Sequence, residues 1–150
     1  MSLSATRLPG VVAVAQAGGT TWEVGFVTPD DIDVDRGTID LPGSARVLPR
    51  TNELTPFGIM ALATHLERVR DGEKCFSPRS TAFSASVSAC QALSSVLRKA
   101  HLAHLPNVRI DSIRAWAGRR AYDAHGIEAA ARLLGCRSLD TALRIVGAGR

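Results

Sequence analysis

Arg114 follows Asp111 by three residues, a spacing that sets the two side chains one turn apart on the same side of a helix. Two kinds of chemistry fit that pair. The guanidinium can grip a phosphate through parallel N–H donors, or Asp111 can neutralise it. Arg109, Arg119 and Arg120 lie nearby, Arg137 follows in the next turn region, and Arg46 and Arg50 are the cations of the hairpin region. Together these are the candidate nucleic-acid contacts, although Arg109, Arg119 and Arg120 equally suit an ordinary solvated helix face. Cys136, at a turn before a helix, is either a thiol activated by the helix N-terminus or a small, part-buried side chain. His65, His101, His104 and His125 lack metal-ligand spacing; His101 and His104 share a helix face but have no partner. Asp30, Asp31, Asp33 and Asp35 read as a capped turn with solvated carboxylates, because the glycine and distal glutamate of a calcium loop are missing. Trp22, Trp116 and Tyr122 read as packing residues. No metal and no cofactor are expected.

Composition narrows the class. The 150 residues are 45% hydrophobic and 21% charged, which suits one folded domain spanning 1–150 and not a disordered chain. A net charge of +4 and a pI near 9.5 permit an anionic partner without demanding one. Lys74 and Lys99 are the only lysines, so the positive charge is arginine, the residue suited to bidentate phosphate contacts. A coding bias towards Arg and Ala explains the same enrichment. Cys75, Cys90 and Cys136 are odd in number and lack a C-x-x-C pair, which points to reduced thiols. No stretch has the length of a signal or a membrane span, and a cytoplasmic location is expected.

The elements that must position these residues follow from the patterning. Residues 10–17 (GVVAVAQA) form a short buried helix or strand, broken by Gly18-Gly19. Thr21–Val27 is the next apolar group, and Thr28-Pro29-Asp30-Asp31 a turn with capping chemistry. Thr38–Leu41 alternates as a strand, Pro42-Gly43 turns, and Ala45–Pro49 is the predicted antiparallel partner. Thr55 caps a helix with Pro56 at its first position, running to about Arg70 with Phe57, Met60, Ala61, Leu62, Leu66 and Val69 at helical spacing. Residues 73–83 read as a polar loop. A helix from Ser84 to about Leu102 follows, with Val87, Cys90, Leu93, Val96 and Leu97 on its apolar face. Asp111 or Ser112 caps a helix to His125, Gly126 stops it, and helices over about 127–134 and 138–146 close the chain. The fold class is mainly α with a small antiparallel β-hairpin or sheet.

The order of these elements resembles the catalytic domain of tyrosine recombinases, the phage-integrase family. The run Asp31-Ile32-Asp33-Val34-Asp35-Arg36-Gly37-Thr38-Ile39 is similar to that family's entry into its sheet, and Glu53-Leu54-Thr55-Pro56 to its entry into the following helix. The resemblance covers roughly residues 10–147, and the family's separate N-terminal core-binding domain has no counterpart in it. It implies phosphoryl transfer by a tyrosine that attacks a DNA phosphate, assisted by arginines, a lysine and histidines. Of these positions only Arg114 carries over. Thr20 stands where the first arginine belongs, Asp111 and Cys136 occupy histidine positions, and Ile145 falls at the nucleophile; no lysine lies in the hairpin. The resemblance therefore implies an integrase-like domain related to DNA integration and recombination, without strand cleavage and at most DNA-binding.

Two other readings stand beside it. Residues 127–146 resemble a helix-turn-helix, which would make the chain a DNA-binding regulator with Arg137, Ser138 and Arg144 facing double-stranded DNA. Alternatively the chain is a folded remnant that pairs with an intact recombinase and binds no DNA itself.

Overall fold

A computed structural model describes residues 3–77 and 81–147. Its elements in order are α1 (Leu3–Gln16), α2 (Thr21–Phe26), a 3₁₀ turn (Pro29–Asp31), β1 (Ile32–Asp33), β2 (Thr38–Leu41) and β3 (Arg50–Glu53). There follow α3 (Pro56–Leu66), α4 (Ala82–Lys99), α5 (Ser112–His125), α6 (Ile127–Leu134) and α7 (Leu139–Val146). No helix among the described residues is long and apolar enough to cross a membrane.

The small, apolar run of α1 lets it sit at the centre, packed against α2, α3, α4 and α5. Val11, Ala13, Val14 and Ala15 are buried there with Val24, Val27, Ile39, Leu41, Leu62 and Leu93. A second, smaller apolar cluster lies in the C-terminal helices: Ala130, Leu134 and Val146, with Tyr122, Cys136 and Ile145 half-buried against them. Tyr122 is thus a packing residue, as its sequence context suggests.

The sheet departs from the expected two-stranded hairpin. Its order is β1-β2-β3, antiparallel throughout, with Ile32 opposite Ile39 and Leu41 opposite Arg50. The partner of β2 is therefore Arg50–Glu53 and not Ala45–Pro49. Gly43, at φ 76°, turns the chain away, and the Ser44 amide closes a tight loop onto the Val47 carbonyl at 2.8 Å. The Leu48 amide donates to Gly135 instead of to the sheet, and Pro49 has no N–H to offer.

Other boundaries shift for similar local reasons. Thr55 does cap α3, its hydroxyl accepting from the Gly58 amide at 2.9 Å, but the regular helix ends at Leu66 and loose turns continue to Arg70. On its face Ala61, Leu62 and His65 are buried while Phe57 and Met60 are exposed. Thr81 caps α4 two residues earlier than expected and the helix stops at Lys99. Its buried face is made of Ala85, Ala89, Ala92, Leu93 and Leu97, and Val87 is exposed. His101 has a positive φ of 57°, so it and His104 share no helix face. Trp22 and Trp116 are exposed and not core. Asp31 and Asp33 take the Thr28 and Arg36 amides, as a capped turn requires.

The expected polar loop 73–83 holds a buried segment. Cys75, Phe76 and Ser77 are inside; residues 78–80 lie outside the described residues. The Cys75 amide donates to Val27, and the Cys75 thiol is pushed up to about 12, chiefly by burial. His65, fully buried and stacked on Phe76, reaches the Cys75 carbonyl through Nε2 at 2.6 Å and Thr6 Oγ1 through Nδ1 at 2.9 Å. A carbonyl only accepts, so Nε2 carries the proton and Nδ1 of the neutral ring accepts from Thr6. Burial lowers the His65 pKa, the Cys75 hydrogen bond opposes that, and the Arg7 charge adds to it.

The folded chain thus resists a proton that the unfolded ring accepts. Stability should be full above about pH 6.5, the ordinary histidine value, and should decline as the pH falls below it. Urea midpoints should drop with acidity in the wild type and drop less in His65→Gln; equal slopes would assign the loss to other groups.

Candidate nucleic-acid interface

The site is built from a helix cap outwards. The Thr20 hydroxyl accepts the Glu23 amide at 3.1 Å, and Glu23 Oε1 accepts the Thr20 amide at 3.0 Å. This reciprocal capping box turns the Glu23 side chain inwards, where it is fully buried. Its Oε2 accepts from the Gly43 amide at 2.9 Å and from Arg50 Nη1 at 2.7 Å, and Oε1 accepts from Arg50 Nη2 at 2.9 Å. Burial on its own would raise the Glu23 pKa. The Arg50 hydrogen bonds and charge, with the Thr20 and Gly43 amides, outweigh it and hold the carboxyl below its usual value.

Arg50 reaches this centre from the first position of β3. Besides Glu23 it donates from Nε to the Leu133 carbonyl at 2.6 Å, from Nη1 to Leu48 at 3.1 Å and from Nη2 to Gly18 at 2.8 Å. Those bonds use every N–H of the guanidinium, and the side chain is only 7% exposed. Asn52 adds a second side-chain tie, donating to both Ala17 and Leu133 at 2.8 Å. The Leu133 carbonyl, in the last turn of α6 where no intrahelical partner is available, is thus met twice from the N-terminal half of the chain.

Arg114 approaches from α5. Its Nε donates to the Gly18 carbonyl at 3.2 Å and its Nη2 to Leu134 at 2.6 Å. Nη1 has no partner among the described residues. No ion pair joins Arg114 to Asp111; burial lowers its pKa, the like charge of Arg50 lowers it further, and Cys136, Glu23 and Asp111 act the other way. It stays protonated regardless. Asp111 is exposed at the start of α5 and makes no cap with its side chain, while Ser112 Oγ takes the Arg109 amide at 2.7 Å.

The remaining sequence candidates divide. Cys136 is half-buried at the α6–α7 turn, and Ile145 is half-buried against the C-terminal cluster. Arg46 is exposed on the loop between β2 and β3, and Arg137 donates to Ala45 of that loop at 3.4 Å, which brings these two cations to one rim. Arg109 is exposed before α5. Arg119 pairs with Asp123 at 3.1 Å and lies over Tyr122, and Arg120 lies over Trp116, so both serve the solvated outer face of α5. Glu23 and Asn52 were not singled out in the sequence; the T-T-W-E capping signature at Thr20 is the signal that could have found Glu23. A groove of about 1360 Å³ runs between β3 and helices α5 and α6, with Gly135 and Cys136 at one end.

No family model matches the sequence, and neither does any curated protein. Solved structures do. The chain is similar to the XerA recombinase, with a TM-score of 0.73 and 16% identity over 95% of this chain and 53% of that one. It is also similar to the Tn1549 transposon integrase in complex with circular intermediate DNA, with a TM-score of 0.63 and 14% identity over 97% of this chain and 54% of that one. The same integrase bound to transposon right end DNA gives a TM-score of 0.62 at 14% identity, over 91% of this chain and 53% of that one. The chain therefore spans about half the length of the structures it matches. Its fold is that of a tyrosine-recombinase catalytic domain.

Removing Glu23 leaves Arg50 charged and buried without its partner. Glu23→Ala should cost about 3–5 kcal/mol, read as a shift in chemical denaturation. A loss below about 1 kcal/mol, the scale of an exposed pair, would mean that the pair is solvated.

Proposed function

We propose that the chain is an integrase-like domain that binds duplex DNA through its phosphates and does not cut it. The observation that carries this reading is Arg114. It is braced on two backbone carbonyls and still has Nη1 unpartnered among the described residues, so it can grip a phosphate. Arg46 and Arg137 supply exposed positive charge on one rim, and Arg109 is a further exposed cation before α5. The net charge of +4 agrees, and related Tn1549 integrase structures are DNA complexes. Arg50 is left out of the contact set because its donors are all used internally.

The absence of cutting is argued from the residues at the family's reactive positions. Isoleucine at 145 cannot form a covalent phosphoester. Thr20 brings no charge to a pentacoordinate phosphate, and Asp111 brings the wrong sign. Integration and recombination are thus the setting of the fold, and strand exchange is not assigned to this chain. The helix-turn-helix alternative is weaker, because the loop carrying Val47 and Leu48 packs onto Gly135 of the α6–α7 turn and Arg137 spends a donor on Ala45 of that loop.

Duplex DNA should be retarded at 50 mM salt and largely released by 200 mM, with log affinity falling by about 0.9 per phosphate contact for each tenfold rise in salt. Arg114→Ala should reduce that slope by about one. No retardation at low salt would overturn DNA binding and leave a protein partner, such as an intact recombinase, as the reading to pursue. A covalent protein–DNA product from a nicked suicide duplex would overturn the claim that the chain does not cut.

A further inference from the structure

We propose that Arg50 is the positioning residue of this phosphate site: it takes no ligand itself, and with the Glu23 carboxylate as counter-charge it sets the direction in which Arg114 points. The inference deepens the DNA-binding reading and rests on it for the identity of the ligand. Both guanidiniums donate to one acceptor, the Gly18 carbonyl, Arg50 at 2.8 Å and Arg114 at 3.2 Å. Each also holds one of two consecutive α6 carbonyls at 2.6 Å, Arg50 that of Leu133 and Arg114 that of Leu134. The frame on which Arg114 rests is therefore the frame that Arg50 braces.

That frame is tight. A Cβ at Gly18, whose φ is 92°, would come within 2.7 Å of Leu133 Cδ2 and 3.1 Å of the Leu133 carbonyl. A Cβ at Gly135 would come within 2.8 Å of the Leu48 carbonyl and 3.0 Å of Arg50 Nη1. Two glycines thus let the ends of α1 and α6 close around the Arg50 fork. Two guanidiniums sharing one carbonyl repel each other, and the fully buried Glu23 carboxylate offsets that repulsion. The dependence runs one way. Arg50 has three anchors that Arg114 does not touch, Glu23, Leu48 and Leu133, whereas of Arg114's two anchors one is the Gly18 carbonyl that Arg50 also holds and the other, Leu134, follows Arg50's Leu133.

Arginine Nε–H exchange in the full-length free chain tests this without any ligand. In the wild type both the Arg50 and the Arg114 Nε–H should be protected. In Arg50→Lys, which keeps the charge but loses the fork, Arg114 Nε–H exchange should accelerate roughly tenfold or more while α1 and α4 amides stay protected. Unchanged Arg114 protection in a folded Arg50→Lys chain overturns the proposal. If Arg50→Lys does not fold, Arg114→Lys decides: retained Arg50 Nε–H protection supports the one-way dependence, and its loss overturns it. On a 20-base-pair duplex, Arg50→Lys and Arg114→Ala should each weaken binding, and the double variant should be no weaker than Arg114→Ala alone. Additive losses would mean that Arg50 reaches DNA itself and would also overturn the proposal. A chain that binds no duplex fails the DNA-binding reading, while the exchange result still decides the positioning role.

Discussion

The buried pair of Glu23 and Arg50 is the constraint on which the rest of this structure depends. An ionised carboxylate with no solvent exposure is tolerable only when its lone pairs are met, and here two backbone amides and a guanidinium meet them. Those partners come from α2, from the turn after β2 and from the start of β3, so one charge fixes three segments at once. Arg50 extends the constraint to the ends of α1 and α6 through Gly18 and Leu133. Among the described residues there are two apolar clusters, one around α1 and one among the C-terminal helices, and this polar junction ties them together in addition to the packing of α5 on α1.

The same junction accounts for how the cations beside it are used. Two cations meet there, Arg50 and Arg114, and their positive charge is concentrated at the Gly18 carbonyl. Most of it is spent internally. Arg50 supports carbonyls, and Arg114 gives up two donors to reach the position it holds. Both cations thereby stabilise the C-terminal end of α6, where Leu133 and Leu134 carry carbonyls that the helix leaves unpaired.

Much of the fold was legible in the chain. The capping residue Thr55, the stop at Gly126 and the apolar run of α1 act within a few residues of themselves, so their meaning does not wait on tertiary contacts. What misled were signals that depend on distant partners. Ala45–Pro49 has the composition of a strand, yet Leu48 spends its amide on Gly135, far along the sequence. Phe57 and Met60 recur at helical spacing, yet His65 takes the buried position because the Cys75 carbonyl and Thr6 satisfy its ring. Trp22 and Trp116 are large apolar residues left outside, where nothing local could have announced it.

By itself, the sequence determined the helix boundaries that caps and glycines enforce, the mainly helical class, the order of elements that resembles a recombinase catalytic domain, and the survival of Arg114. Only the tertiary structure decided which arginines are available. Arg46, Arg50 and Arg114 are alike as residue types, and their difference lies in what surrounds each guanidinium: solvent, a buried carboxylate with carbonyls, or carbonyls on one side only. Desolvation and hydrogen-bond saturation are properties of a place in the fold, made by segments far apart in sequence, and no residue carries them alone.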